Sequence, residues 1–224
     1  MEQNQPAFGE QLEELSSLLL RMGGQCEQAI GRAIDALSNR DTIAARQVID
    51  GDEEIDKLEL AIDSLCMEIL VRHQPMARDL RLITTAMKIT PDLERIADHA
   101  VNICQRTIEL NEEPPMNALV DLPLMATHAQ QMVHGALDAF VREDADAARH
   151  VILMDDELDN RLEQIFRVLL SHMIEDPQTI TRCLRTMFIA KYFERIGDQS
   201  TNICEQIVYM AEARVIKHGP VDAP

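Results

Sequence analysis

The chain contains the same unit twice. Residues from 41 onward align without a gap on residues from 144 onward, so that Asp41, Ala44, Ala45, Arg46, Val48, Ile49, Asp52, Glu54 and Asp56 meet Asp144, Ala147, Ala148, Arg149, Val151, Ile152, Asp155, Glu157 and Asp159. Further on, a shift of 100 residues superposes Met87, Ile89, Glu94, Arg95, Ile96, Asp98, Asn102, Ile103 and Cys104 on Met187, Ile189, Glu194, Arg195, Ile196, Asp198, Asn202, Ile203 and Cys204. Two independent matches at nearly one offset indicate a duplicated unit. That restricts the fold, because both halves must build one plan.

Each half reads as three helices. Asn39-Arg40-Asp41, His73-Gln74-Pro75 and the stretch from Asn111 to Pro115 interrupt the apolar period in the first half, and breaks from Arg142 to Asp144 and at Glu175-Asp176-Pro177 repeat the pattern in the second. Pro114, Pro115 and Pro123 mark the link between the halves, at about residues 111–122. The expected fold is all-α, six helices as two tandem, pseudo-symmetric three-helix bundles spanning residues 1–113 and 114–224. Leu, Ile, Ala and Met carry the apolar content, and aromatics make up only 3%, a composition that suits helix packing better than sheets. The third helix of each unit should be long, from about Arg78 to Leu110 and from about Thr179 to Lys217. Pro91 interrupts only the first, and because Lys191 takes its place in the second copy, one helix kinked near Pro91 is expected.

A formal charge of −18 disfavours nucleic acid and anionic headgroups as ligands, since such affinity comes from Lys and Arg on phosphates. It suits divalent cations or a basic surface on another protein. No apolar run approaches the roughly 20 residues of a membrane-spanning helix, and residues 1–14 offer neither a basic start nor an apolar stretch, so no membrane insertion and a cytoplasmic location are expected. The five cysteines, scattered and odd in number, read as buried reduced thiols. No phosphate-cradling glycine loop or nucleophile elbow occurs, and none of the seven histidines has a Glu three residues earlier, which argues against a carboxylate-bridged di-iron bundle. An enzyme is not expected.

The chemistry-bearing signal is acidic. Ile89, Leu93, Ile96, Ala100 and Ile103, and likewise Ile189, Phe193, Ile196, Ser200 and Ile203, give each third helix a core-facing stripe. Glu94 with Asp98, and Glu194 with Asp198, then sit roughly 140° or more around the helix from that stripe, facing outward. Each pair is one turn apart, so its carboxylates share a face at about 5–6 Å between Cβ atoms, an arrangement that is mildly destabilising unless something neutralises it. The preceding helix adds Asp52 with Asp56, and Asp155 with Asp159, at the same spacing on its flank. Neighbouring helices can bring such flanks together, sharing oxygen ligands around hard cations such as Mg²⁺, Mn²⁺ or iron. Solvated surface, or a metal-free acidic face meeting a basic partner, are the alternatives that charge patterning leaves open.

The segments Asp79-Leu80-Arg81-Leu82-Ile83, 92–103 and 192–203, with their paired Glu-Arg-Ile-x-Asp-x-x-x-Asn-Ile cores at Glu94 and Glu194, strongly resemble the PhoU family over nearly the whole chain. The resemblance implies two three-helix bundles and a negative regulator of the bacterial phosphate-starvation response. It implies a cytoplasmic adaptor between the phosphate importer, through its ATPase subunit, and a phosphate-sensing histidine kinase, working as a homodimer. It also implies metal at Glu94 and Asp98, and at Glu194 and Asp198, with Asp52, Asp56, Asp155 and Asp159 matching the acidic segments of the preceding helix. Lys88, Pro91 and Asp92 become Phe188, Lys191 and Tyr192 in the second copy, so the two sites are expected to differ.

Overall fold

Both halves turn their first corner in the same way, and the duplicated sequence explains it. Arg40 and Glu143 adopt the left-handed conformation, at φ 53° and 51°. The next residue's amide returns to a carbonyl five residues back, Asp41 N to Ala36 O at 2.8 Å and Asp144 N to Ala139 O at 3.0 Å, which closes the end of one helix. The aspartate then caps the next helix: Asp41 accepts from Ile43 N and Ala44 N at 2.9 and 3.0 Å, and Asp144 accepts from Asp146 N and Ala147 N, both at 3.0 Å.

A computed structural model describes residues 5–115 and 121–216, with the side chains of residues 5–7 left aside. The helices are α1 (Gln5–Asn39), α2 (Thr42–Gly51), α3 (Glu53–His73), α4 (Ala77–Asn111), α5 (Leu122–Arg142), α6 (Ala145–Glu175) and α7 (Ile180–Glu212), with a short 3₁₀ turn at Pro177–Thr179. α2 and α3 are one rod with a fault. Asp52 keeps helical angles, φ −62° and ψ −33°, but its amide bonds Ile49 O at a long 3.4 Å and Ile55 N returns to Asp52 O, a local tightening to a three-residue turn. Counted as one, they leave six helices, three per repeat, and no strand among the described residues.

The remaining expectations on helix boundaries are met closely at the breaks, and α4 runs through Pro91 as a single helix. One end needs correction. α7 stops at Glu212, short of the expected Lys217, because Ala213 takes the left-handed conformation at φ 58° and its amide closes onto Tyr209 O at 2.9 Å. Residues 116–120 of the link, and Lys217, lie outside the described residues. All five cysteines are buried free thiols, and no described helix is long and apolar enough to cross a membrane.

α1, α3 and α4 enclose the first core, where Leu19, Ile62, Ile69 and Leu93 are fully buried; Met132, Leu158, Phe193 and Ile203 do the same among α5, α6 and α7. The repeats join through α4 against α7, with α1 against α5 beside it. That junction holds the ring of His99 stacked on Tyr192 at 5.9 Å, and Arg81 Nε donating to Met210 O at 3.1 Å. The long third helices are therefore enclosed on several sides at once, and that decides how much solvent reaches the acidic pairs.

Candidate metal centre

In the second repeat the groove between α6 and α7 brings the two acidic pairs face to face. Asp155 and Asp159 come from α6, Glu194 and Asp198 from α7. Burial, then the charges of Asp198, Asp159 and Glu194, push the Asp155 carboxyl up to about 7, and burial with the Glu194 charge raises Asp198. The carboxylates of the two helices thus repel one another across the groove. Asp155 Oδ1 and Glu194 Oε2 are buried with no hydrogen-bond partner, which is uncommon for buried polar atoms and marks acceptors in need of a donor or an ion. Lys191 Nζ pairs with the other oxygen of Glu194.

The expectation that these carboxylates face outward needs correcting for Glu194, which is only 7% exposed. It does point away from the core stripe. Yet α6 lies over that side of α7, so "away from the core" means into a groove between helices rather than into water. Asp198 and Asp155 are half-buried, and Asp159 is exposed.

The first repeat assembles the same quartet in looser form. Asp52 comes from the fault between α2 and α3 and Asp56 from the first turn of α3, opposite Glu94 and Asp98 of α4. Burial, then Asp56 and Asp98, raise Asp52 to about 6. Burial, then Asp98, Glu59, Asp56 and Asp52, raise Glu94 to about 7. Asp98 rises through burial and Asp56. Glu59, which sequence reasoning passed over, is raised by burial, Asp63, Asp56 and Asp98, so it borders the same groove. Here Pro91 stands where the second repeat has Lys191, and the quartet lacks that internal counterion.

A second residue that sequence reasoning missed is Gly197, between Glu194 and Asp198. A Cβ there would lie 2.5 Å from Leu158 Cδ2 and 2.9 Å from Asp155 Oδ1; its absence lets α6 approach and holds Asp155 beside the backbone of α7. The first repeat carries Ala97 at this place. Comparing the two motifs, Ala97 against Gly197, was the available signal. His99, a neighbour of Asp98 in sequence, belongs elsewhere: it stacks on Tyr192 at the repeat junction, where burial, then Arg195 and Arg95, hold its pKa down to about 4.

The donor set is all carboxylate, hard oxygen suited to Mg²⁺, Mn²⁺ or iron rather than to soft-ligand metals. The orphaned oxygens belong to the second groove alone, whereas mutual repulsion, which a cation would relieve, is present in both. Among the described residues no three His, Cys, Asp or Glu side chains converge on one metal position.

Comparison with known proteins gives the family and the fold. The PhoU domain model matches residues 19–107 and again residues 122–207, one match per repeat. The phosphate-specific transport system accessory protein PhoU of Serratia marcescens is 39% identical over 216 residues, covering 96% of this chain and 89% of the relative. The crystal structure of PhoU from Pseudomonas aeruginosa superposes with a TM-score of 0.89 at 39% identity, covering 92% of this chain and 100% of that one. That of the phosphate transport system regulatory protein PhoU from Streptococcus pneumoniae gives 0.86 at 25% identity, covering 94% and 99%.

Proposed function

Because the chain belongs to the PhoU family, both of its repeats matching the PhoU domain, we propose that it is an accessory and regulatory protein of phosphate transport that binds divalent metal in its two acidic grooves. Relatives bear the name of phosphate-specific transport system accessory protein, and one structural neighbour that of a regulatory protein of the same system. In this reading it is a cytoplasmic, non-catalytic homodimeric adaptor, with bundles at residues 1–113 and 114–224. It links the ATPase subunit of the phosphate importer to the phosphate-sensing histidine kinase, limits uptake and represses the starvation response while phosphate is plentiful.

The observation that carries the metal part is the doubled quartet. Two carboxylate pairs face each other in each repeat, with Asp155 Oδ1 and Glu194 Oε2 buried and unpartnered. Glu94, Asp98, Asp52 and Asp56 would hold one site, and Glu194, Asp198, Asp155 and Asp159 the other. A bound cation would relieve the repulsion within each groove and fix α3 against α4 and α6 against α7. A metal-free adaptor is the second reading, favoured by the ion pair that already occupies Glu194 through Lys191.

Elemental analysis of protein purified without chelator decides between them. Bound Mg, Mn or Fe, lost when Glu94, Asp98, Glu194 and Asp198 are all replaced by Ala, supports the metal reading, and unchanged metal content in that variant sinks it. For the regulatory part, a strain lacking the gene should express phosphate-responsive genes in rich phosphate; normal repression there would overturn the assignment.

A further inference from the structure

The two acidic grooves are not electrostatic copies of one another. In the first repeat a fifth carboxyl joins the quartet, because Glu59 of α3 is acted on by Asp56 and Asp98 as well as by Asp63 and burial. The second repeat has Leu162 at that place and keeps four. The charges that act on Asp52, Glu59, Glu94 and Asp98 are all other carboxylates. In the second groove Lys191 and Arg195 draw Asp198 back down against burial and Glu194.

The cations next to the first groove along the chain are engaged with other acids. Lys57 pairs with Glu53 and Glu54 at 3.1 and 2.9 Å, and Arg95 pairs with Asp92 at 3.4 Å. In the second repeat Arg161 pairs with Glu157 at 2.5 Å. Among the described residues the one cation bonded to a member of either quartet is Lys191, on Glu194. Three residues before the glutamate, α7 carries this lysine and α4 carries Pro91, which has no ammonium to offer.

Lys191 and Glu194 lie about one turn apart on α7, so the ammonium can fold along the helix onto the carboxylate. Glu194 is 7% exposed, and a carboxylate so far from water needs a paired cation to stay ionised. The Lys191 side chain is 42% exposed, so its head can swing back into water without being desolvated. Such an ammonium is a flexible, strongly hydrated point charge. A divalent cation brings twice the charge to the same hard oxygens.

We infer that Lys191 is the resident counterion of the second groove, which a metal must displace from Glu194, so that the first groove fills with divalent cation before the second. This rests on the metal reading of the grooves and adds an order of loading to it. Without metal, Lys191 already neutralises Glu194, while the first groove sets five mutually repelling carboxyl groups against the incoming ion.

The test is Mn²⁺ binding to the full chain with one groove silenced at a time, read from the paramagnetic resonance signal of the free ion. Asp155→Asn with Asp198→Asn leaves the first groove, and Asp52→Asn with Asp98→Asn leaves the second. The first should bind at least about tenfold more tightly, the worth of one charge-assisted hydrogen bond. Adding Lys191→Met to the chain with only the second groove should tighten its binding by about the same factor, whereas Lys191→Arg should leave it weak. Pro91→Lys should weaken the first groove. Thermal unfolding in chelator reads the same pair without metal. There Lys191→Met should lower the midpoint of the wild type but not of a Glu194→Gln chain, which has no carboxylate left to neutralise. Equal affinities of the two grooves, a second groove that binds more tightly, or no gain in affinity from Lys191→Met would overturn the inference and leave the metal reading intact. Absence of Mn²⁺ binding by the wild type would overturn the metal reading, and the order of loading with it.

Discussion

Replacing Asp155 by Asn should stabilise the metal-free protein at pH 8 while weakening its response to metal, a reversal that few alternatives reproduce. The ionised carboxyl of Asp155 is disfavoured in the fold, its pKa raised from 3.8 to about 7 by burial and then by Asp198, Asp159 and Glu194. Taken at face value that rise is about 4 kcal/mol. Asp155 is only half-buried, so solvent screening reduces the expected effect to about 1–2 kcal/mol. Asn removes the charge, and because Oδ1 has no hydrogen-bond partner it forfeits no bond there.

The sign with pH follows from linkage. A carboxyl whose folded pKa lies above its unfolded value binds more protons when folded, so wild-type stability falls as pH rises from about 4 to about 7 and stays lower above that. The advantage of the Asp155→Asn variant should therefore be full at pH 8 and largely gone at pH 4. Thermal unfolding in chelator should show an upward shift of about 2–8 °C at pH 8, at about 2–4 °C per kcal/mol for a chain of this size. With Mn²⁺ at about a hundredfold excess over its Kd, the wild type should gain about 2.7 kcal/mol and the variant clearly less. A variant less stable than wild type at pH 8 in chelator, or a shift of the same size at both pH values, would refute the facing-carboxylate account.

Other substitutions test neighbouring features of the fold. Gly197→Ala places a Cβ 2.5 Å from Leu158 Cδ2 and 2.9 Å from Asp155 Oδ1; overpacking of about 1–3 kcal/mol should outweigh about 1 kcal/mol of helix propensity. Calorimetric titration with Mn²⁺ should show the second site weakened and the first unchanged. Phe193→Ala, at a fully buried core position, should cost about 3–5 kcal/mol in urea unfolding. Arg185 spans the repeats through Glu113 and Glu109, the latter at 3.0 Å. Arg185→Ala should cost about 1 kcal/mol in low salt and less in high salt, and a salt-independent loss would mean the side chain acts by packing.

The turns between helices were legible in sequence because local chemistry makes them. Asp41 and Asp144 cap helices wherever the chain goes, and the residue before each can take a left-handed corner. The fault at Asp52 was not legible, since Gly51-Asp52 reads as ordinary helix until the rod must bend around a core. The end of α7 was missed for a related reason: nothing in Ala213 forbids helix, and its left-handed angle comes with the departure of the chain at that point.

The amino-acid order by itself determined the doubled three-helix plan, the core stripes and the four acidic pairs, because an apolar period and a one-turn spacing are properties of a single helix. Only tertiary packing decided what those pairs face. Laying α6 over α7, with Gly197 clearing the way, turned Glu194 from an outward residue into a buried one and set it against Asp155. Distances between helices depend on every side chain in the layer between them, and no periodicity along one segment encodes that sum.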